Sequence, residues 1–427
     1  MTKHTLSVWA AMLTVGLPLL GSATLSKYLT AETPGVDSPA GDSIRWHPIF
    51  NHRFQLEYER RGSSPAIDPS YPYRGPFYAG SIVLPLPLNM DLDLTFWIKE
   101  RPEHFVASRR RSNLVKQITD YEYRFYRRLR LRGQWRRHEV IAGRDGFSLS
   151  PRGDLLPEYS AERRPSLALA ISNHIQTYDQ VRWSYYQNLW AVRFFYSRIE
   201  NATHLAWVQR VTRDLMAREF VLKPRRGILI SFYETALIND RGIDLADLNP
   251  LLLIHNLNRW QTNTITGLTI DVQKTGWRFW SELALDDVFS SSIEPTSASP
   301  TTLGWRLGLR VGNPTGTIAG MVEVVQTDPW FGNREHEGLC YRRFTDNTQN
   351  LDEWQPIGYW RGPDSRDLEM VLQWVPMNRS VWWVEASRRQ SGEINLDTPY
   401  LEPGRPKHGT PTGVVEHEQR LALTTRL

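Results

Sequence analysis

The chain has 427 residues, a length compatible with two or three soluble domains or with one large β-barrel. Trp, Tyr and Phe number 17, 17 and 15, a composition shared by proteins that contact sugars or the lipid headgroup layer. The net charge is only +5 and no nucleic-acid-binding motif accompanies it, which argues against a nucleic-acid partner. The single cysteine, Cys340, excludes an internal disulfide and a paired-cysteine metal site.

The first residues have the three parts of a secretory signal peptide. Lys3 supplies positive charge, the apolar run from Leu6 to Leu20 is short for a membrane-spanning helix, and Gly21-Ser22-Ala23 supplies small residues for cleavage. We therefore predict a signal peptide over residues 1–23. Residues 24–45 are rich in Ser, Thr, Pro and Gly and predict a flexible lead-in, which leaves residues 46–427 for one exported domain.

From about residue 50 onward, apolar and polar residues alternate with a period of two, which predicts β-strands with one apolar face. The interval from Arg101 to Thr119, with its Arg109-Arg110-Arg111 run, interrupts this alternation and predicts a short helix at one end of the strands. In chain order, the apolar residues of the alternating segments are Leu92, Leu94, Phe96 and Ile98; Tyr121, Tyr123, Phe125, Leu129 and Leu131; Leu268, Ile270 and Val272; Trp277, Phe279, Leu283 and Leu285; Leu303, Trp305, Leu307, Leu309 and Val311; Leu368, Met370, Leu372 and Trp374.

Turn residues divide these strands into hairpins. Pro87-Leu88-Asn89-Met90 and Lys274-Thr275-Gly276 each separate two apolar-rich segments and predict hairpin turns. Longer stretches without alternation, over residues 290–302, 344–355 and 395–411, predict loops.

Alternation of this kind also occurs in the half-buried sheets of soluble proteins, so the choice of a barrel depends on three further features. Charges of both signs recur on the polar faces, as a hydrated lumen requires. Aromatic residues lie near strand ends, at Trp277, Trp374 and Trp382-Trp383, as in interfacial girdles. Strands also recur almost without helical interruption, and a closed barrel satisfies every backbone group in lipid. We predict an all-β antiparallel transmembrane β-barrel of roughly 16 to 18 strands, an even number, and a soluble sandwich stays open on pattern alone.

No pattern typical of an enzyme occurs in the chain. A P-loop, a GxSxG elbow, an HExxH helix and paired CxxC motifs are all missing from the sequence. The acidic pairs Asp286-Asp287 and Glu234 with Asp244 could mimic the two carboxylates of a glycosidase, but salt bridges in a lumen explain them better. We predict a protein that is not an enzyme, with no catalytic residue, metal or cofactor.

Several sequence blocks occur in an order that carries more information than any one of them. They are residues 217–224, 228–234, 241–250, 267–271, 281–287 and 358–365. The chain resembles the Wzi-type capsule-assembly family of outer-membrane barrels. In that family a strand ending in Glu precedes an R-G-I-D-L…L-N-P block, a G-x-D strand, an E-L…D-D strand and a G-P-D-S block. The resemblance extends from roughly Ile118 to Gly413, most of the exported chain.

The resemblance implies a monomeric barrel in the bacterial outer membrane with a small helical element on the periplasmic side. It also implies a non-enzymatic role in binding or organising capsular polysaccharide at the cell surface. Trp and Tyr rings stack on sugars, and Arg donates paired hydrogen bonds to uronate carboxylates. The expected partners are therefore a surface polysaccharide and outer-membrane lipid, and the blocks do not identify the residues that bind the sugar.

Two other function classes stay open. The first is an outer-membrane channel for small or anionic solutes, which needs an open lumen, and the second is a soluble periplasmic enzyme acting on glycans. A lumen closed by loops and inward salt bridges would favour the polysaccharide-binding barrel over the channel. The last alternating residues, Leu421, Leu423 and Leu427, lack the terminal aromatic typical of barrels, which does not support closure. The candidate lumen or structural residues are Glu234, Arg241, Asp244, Asn249, Asp271, Glu282, Asp286, Arg306, Arg310 and Asp364.

Overall fold

The chain divides into two units, Met1–Arg45 and Trp46–Leu427, and every residue described here belongs to the second. The signal peptide and lead-in predicted over residues 1–45, and Cys340, lie outside the described residues. The computed structural model describes residues 49–54, 58–60, 78–100, 110–112, 121–149, 168–172, 178–202, 211–239, 243–244, 247–250, 262–286, 302–313, 316–333, 341–345, 353–359, 361–376, 380–396, 398 and 410–426.

Twenty β-strands occur in these residues, and none of the described residues is helical. The strands are β1 (Ile49–Phe54), β2 (Tyr58–Arg60), β3 (Tyr78–Leu86), β4 (Met90–Glu100), β5 (Arg110–Ser112), β6 (Tyr121–Trp135), β7 (His138–Asp145), β8 (Tyr178–Tyr186), β9 (Trp190–Ala202), β10 (Val211–Arg225), β11 (Ile228–Asn239), β12 (Thr262–Lys274), β13 (Trp277–Asp286), β14 (Thr302–Gly312), β15 (Ile318–Thr327), β16 (Arg342–Thr345), β17 (Glu353–Pro356), β18 (Ser365–Trp374), β19 (Val381–Ser391) and β20 (Glu416–Arg426).

Sixteen of the strands form one antiparallel sheet in which neighbours in the chain are also neighbours in space. The four short strands pair separately, β2 with β5 and β16 with β17. The all-β antiparallel prediction is confirmed, and sixteen lies within the predicted range. Within the described residues, however, β1 and β20 are unpaired edges, so the sheet is not closed. The side chains of Leu421 and Leu423 on β20 are therefore 79% and 67% exposed.

The helix predicted between Arg101 and Thr119 is not present in the part of that interval that is described. Residues Arg110–Ser112 form strand β5, which pairs with Tyr58–Arg60. Backbone pairing between these two short segments satisfies groups that a helix would have satisfied internally. The remainder of the interval lies outside the described residues. No described helix has the length and apolar character needed to span a membrane.

The two rims of the sheet differ in the length of their connections. Seven tight connections, after β3, β6, β8, β10, β12, β14 and β18, share one side, which we call the short-turn rim. The others, such as those between β7 and β8 and between β15 and β18, join strand ends on the opposite side, which we call the long-loop rim. The hairpin turn predicted around Leu88 and Asn89 is confirmed, and both residues have positive φ. Strand β1 begins and β20 ends at the short-turn rim.

The two faces of the sheet differ in polarity, and the exposed face is the apolar one. Leu283 is 44% exposed whereas its neighbour Glu282 is 2% exposed. On the next strand Leu307 is 46% exposed and Arg306 is 3% exposed. We call the exposed apolar face outward and the other face inward. A half-buried sheet of a soluble protein would show the reverse, with its charges in water and its leucines covered.

Inward side chains from widely separated strands meet in one apolar cluster. Phe195 on β9, Leu215 on β10, Tyr233 on β11, Ile265 on β12 and Val325 on β15 all belong to it. Strands that are several positions apart in a sheet can contribute to a single cluster only if the sheet curves around it. The inward face is therefore concave, and it surrounds the candidate site.

Candidate functional site

Segments of two long connections lie inside the curve of the sheet. We call them the plug: residues 147–149 and 168–172 from the connection between β7 and β8, and residues 330–333, 341 and 357–359 from the connection between β15 and β18. Leu149 N donates to Ile171 O at 3.1 Å, and Tyr359 N donates to Leu169 O at 3.1 Å. The plug backbone is thus hydrogen-bonded within itself, so these loop segments can be buried.

Apolar packing joins the plug to the inward face. The rings of Phe147 and Phe195 stack with centroids 4.1 Å apart. Gly358 allows the two plug connections to approach each other, because a Cβ there would lie 1.9 Å from the Leu169 carbonyl oxygen. Gly304 on β14 similarly makes room for Phe331 and Leu169. Small residues at contact points therefore set how deeply the plug sits.

Glu282 is the main polar anchor of the plug. Its Oε1 accepts hydrogen bonds from Leu169 N at 3.2 Å and from the Tyr233 hydroxyl at 2.8 Å. Its Oε2 lies 3.4 Å from Arg306 Nε, and both side chains are nearly fully buried. A buried carboxylate is tolerated where it is paired and hydrogen-bonded in this way.

Two further wall residues hold the second connection of the plug. Asp286 Oδ2 accepts a hydrogen bond from Gly332 N. The hydroxyls of Thr235 and Tyr341 lie 2.8 Å apart and are hydrogen-bonded. Burial of Tyr341, which lies outside the strands of the large sheet, raises the pKa of its phenol well above 10, so it stays protonated. Each plug connection thus has its own polar contacts to the wall.

Beside Glu282, a network of charge and indole covers the inward faces of β13, β14 and β15. Arg306 lies between two carboxylates, since its Nε is also 3.5 Å from Glu323 Oε1. Glu323 in turn accepts a hydrogen bond from Trp280 Nε1 at 2.8 Å. The Trp280 ring covers Gly308, where any Cβ would collide with it. Deeper toward the short-turn rim, Arg278 pairs with Asp271 at 2.6 Å, and Arg310 faces the interior from β14.

A second inward network lies on β4, β6 and β7. Arg130 pairs with Asp93 at 3.1 Å and with Asp145 at 2.9 Å. Arg128 Nε is 2.8 Å from the other oxygen of Asp145. None of these residues was among the candidates from sequence. The signal that could have identified them is the alternation of Arg128, Arg130 and Arg132 on β6, opposite aspartates of β4.

Asp364 joins the plug connection to the one between β19 and β20. It is fully buried, and its φ of 54° places it at the start of β18 in a left-handed turn. Thr412 N and Ile394 N donate to its carboxylate at 2.8 and 3.2 Å. Its own amide donates to the carbonyl of Asp328, a loop carboxylate whose pKa is raised above its ordinary value by burial. The G-P-D-S block is therefore a junction between loops.

Three candidates lie on the outward side, contrary to the lumen prediction. Glu234 points outward, because its neighbours on β11, Tyr233 and Thr235, point inward. It pairs at 3.6 Å with Arg218, whose Nε donates to Asn249 O at 3.0 Å. Residues 243–244 and 247–250, which we call the outer flap, thus lie against the outside of the wall. Asp244 is exposed in this flap; its amide donates to the Asp247 carboxylate, and its own carboxylate accepts from Asp247 N, both at 3.0 Å.

The outer flap also covers apolar residues that would otherwise face outward. Met216, Ala236 and Ile238 form a buried cluster against which Ile243 packs. Of the ten candidates, the structure therefore brings Glu282, Asp286 and Arg306 together at the plug and separates the flap residues from them. Arg241 lies outside the described residues. No group of side chains suited to holding a metal ion occurs in the part of the chain that is described.

Comparisons with known proteins give structural likenesses only. No family model matches the chain, and no curated protein matches it in sequence. It is similar to Escherichia coli Wzi, described as a carbohydrate-binding β-barrel of the outer membrane involved in group 1 capsule assembly, at 9% identity and a TM-score of 0.48, over 81% of this chain and 72% of that one. It is also similar to the outer-membrane channel DcaP of Acinetobacter baumannii, at 8% identity and a TM-score of 0.42, over 82% of this chain and 83% of that one. A third similar structure is an anion-selective porin from Comamonas acidovorans, at 10% identity and a TM-score of 0.39, over 73% of this chain and 78% of that one. At these values neither a family nor a function is established.

Proposed function

We propose that the chain is a plugged β-barrel of the bacterial outer membrane that binds or organises capsular polysaccharide at the cell surface, without catalysis. The observation that carries the membrane part is the polarity of the sheet. Leu283, Leu307 and the other outward leucines are exposed while Glu282 and Arg306 are buried. Exposing such a face to water would be costly, whereas lipid tails solvate it, and strands are a permitted way to span a bilayer.

The rims give the proposed orientation. Outer-membrane barrels have short periplasmic turns and longer extracellular loops, so the long-loop rim would face the cell exterior. Exposed aromatic residues, Trp135, Trp277 and Trp374, lie at the short-turn rim and suit an interfacial girdle there. The plug would then lie on the cell-surface side.

The plug supports a binding role over a channel. The described segments of its two connections pack against the inward face and are anchored to the wall at Glu282, Asp286 and Thr235. The blocks that carry the family resemblance supply two of these anchors, Glu282 and Asp286 in residues 281–287, and residues 358–365 also contain Gly358 and Asp364. The polysaccharide itself is proposed from that resemblance, and no sugar-binding residue is assigned.

The second candidate is a channel for small or anionic solutes. It is favoured by the polar interior between the plug and the short-turn rim, where Arg278 and Arg310 face inward. Conductance in planar bilayers separates the two functions. A plugged barrel is expected to give no stable open steps, and large stable steps in the unaltered protein would favour the channel.

Capsule retention tests the polysaccharide role directly. A strain lacking the chain should produce a normal total amount of capsule but shed more of it into the medium, and the unaltered chain should restore retention. Unchanged retention would count against the proposal. Fractionation tests the membrane location, because recovery of the protein in the periplasm without detergent would support the soluble alternative instead.

A further inference from the structure

The outward faces of β15, β18, β19 and β20 carry an unusual distribution of charge. Over the described outward positions of these strands there is no Asp or Glu. The positions toward the short-turn rim and the middle are apolar, among them Leu372 and Val384. Toward the long-loop rim the outward residues become basic or neutral polar. They are Gln326, Arg366, Arg388, Gln390, His417 and Gln419.

The two arginines of this face have no acidic partner. Arg366 donates from Nε and Nη2 to Gln326 Oε1, at 3.1 and 2.8 Å, so its partner is a neutral amide. Arg388 is exposed. In the described part of the chain neither guanidinium forms an ion pair, whereas Arg144, another exposed outward arginine, pairs with Asp179 at 2.7 Å. Two uncompensated cations therefore stand at the boundary of an apolar surface.

Below these arginines lies a groove of about 390 Å³. The register explains it, because Met370, Ala386 and Leu421 are adjacent across three strands. The small Ala386 side chain forms the floor between two longer ones, while Leu368 and Arg388 line the end toward the long-loop rim. The groove is thus mainly apolar, with Arg388 and Gln419 at one end and two further polar side chains, Ser387 and Arg420, in its lining.

We propose that this groove binds one anionic phosphorylated lipid of the membrane leaflet at the long-loop rim. An acyl chain lies over Ala386, and the phosphate contacts the guanidinium groups of Arg388 and Arg366. Arginine is suited to this contact because its planar fork donates paired hydrogen bonds to phosphate. The inference rests on the proposed membrane location, but it concerns a different surface from the plug.

Native mass spectrometry of the whole chain in non-ionic detergent tests the site, with dioleoyl phosphatidylglycerol as the anionic probe and dioleoyl phosphatidylcholine as the neutral one. The expected result is tighter binding of phosphatidylglycerol. Combining R366Q with R388Q should weaken that binding roughly 25-fold, at about fivefold for each arginine. The matched control combines R225Q with R226Q, which removes two exposed arginines at the short-turn rim and should leave the affinity unchanged.

A third variant tests the acyl chain. Ala386→Leu fills the groove without altering charge, and it should weaken both lipids several-fold. Equal affinity for the two lipids, or an unaltered affinity of the R366Q and R388Q variant, would overturn the proposal. Displacement by equimolar inorganic phosphate would also overturn it, since the ligand would then not be a lipid. If the protein were instead recovered as a soluble periplasmic species, the membrane proposal would fail, which fractionation detects separately.

Discussion

The backbone amide of Leu169, in the plug, donates a hydrogen bond to the carboxylate of Glu282, 113 positions later on the wall. The same carboxylate accepts from Tyr233 and pairs with Arg306. One side chain therefore connects a loop from the first half of the chain to three strands of the second. Its removal should affect the plug and the sheet together.

Glu282→Ala removes the anchor and leaves Arg306 with only one of its two carboxylates. The expected cost is about 3–5 kcal/mol of unfolding free energy, the usual result of deleting one partner of a buried ion pair. Thermal unfolding in detergent measures it, and conductance in planar bilayers should rise if the plug loosens. Glu282→Gln is the control, because its amide oxygen can still accept from Leu169 N. If Glu282→Ala lowered the unfolding free energy less than Glu282→Gln does, the anchoring role of Glu282 would be contradicted.

Gly358→Ala should displace the plug, because the new Cβ would lie 1.9 Å from the Leu169 carbonyl oxygen. Overpacking of this kind costs about 1–3 kcal/mol. Hydrogen exchange of the plug amides and the unfolding temperature both report it. The matched control is Gly320→Ala on β15, where a Cβ has no neighbour within 4 Å. Equal effects of the two substitutions would show that the close approach is unimportant.

Two outward ion pairs allow a comparison of buried and exposed arginines. Arg218→Ala removes the buried cation beside Glu234 and its bond to the outer flap, with an expected loss of about 3–5 kcal/mol. Arg198→Ala removes a 54% exposed partner of Asp214, with an expected loss of at most about 1 kcal/mol. Limited proteolysis between β11 and β12 should accelerate only for Arg218→Ala. Faster cleavage of both variants would show that Arg218 has no special role in holding the outer flap.

Stability should depend on the protonation of Asp328, a loop residue at the long-loop rim. Burial raises its pKa above the ordinary value of 3.8, so the folded state favours the neutral acid. Its contribution to stability is fully present below 3.8 and is lost as the pH rises through the higher pKa of the folded state. Asp328→Asn should therefore stabilise the protein at neutral pH and flatten the dependence of the unfolding temperature on pH above 3.8. If the variant kept the same dependence of unfolding temperature on pH, titratable groups other than Asp328 would be responsible for that dependence.

For strands such as β13, β14 and β18, the sequence predicts which side chains share a face. Alternation with a period of two is preserved there because only one face of the strand meets the interior. Leu283, Leu307 and Met370 all lie on the outward face, as the pattern indicates. The hairpin turns follow for a similar local reason, since they depend on a few adjacent residues. These features require no knowledge of distant parts of the chain.

The plug and the outer flap could not be predicted in this way. The plug residues 168–172 form no alternating segment, and three of their partners, Glu282, Ile357 and Tyr359, lie more than a hundred positions away. Glu234 was assigned to the wrong face because β11 is buried on both faces near the long-loop rim, where the outer flap covers it. The continuous run Ala236, Leu237 and Ile238 was the available signal, since strands covered on both faces lose their alternation.

An even number of strands in the large sheet has a practical consequence. Ile49 at the start of β1 and Arg426 at the end of β20 both lie at the short-turn rim, across the sheet from the connection over residues 392–415. In the proposed orientation, a reporter fused after Arg426 would stay hidden from antibodies on intact cells. An epitope inserted between β19 and β20 would be displayed to them, so one pair of labelled strains could read the sidedness of the whole molecule.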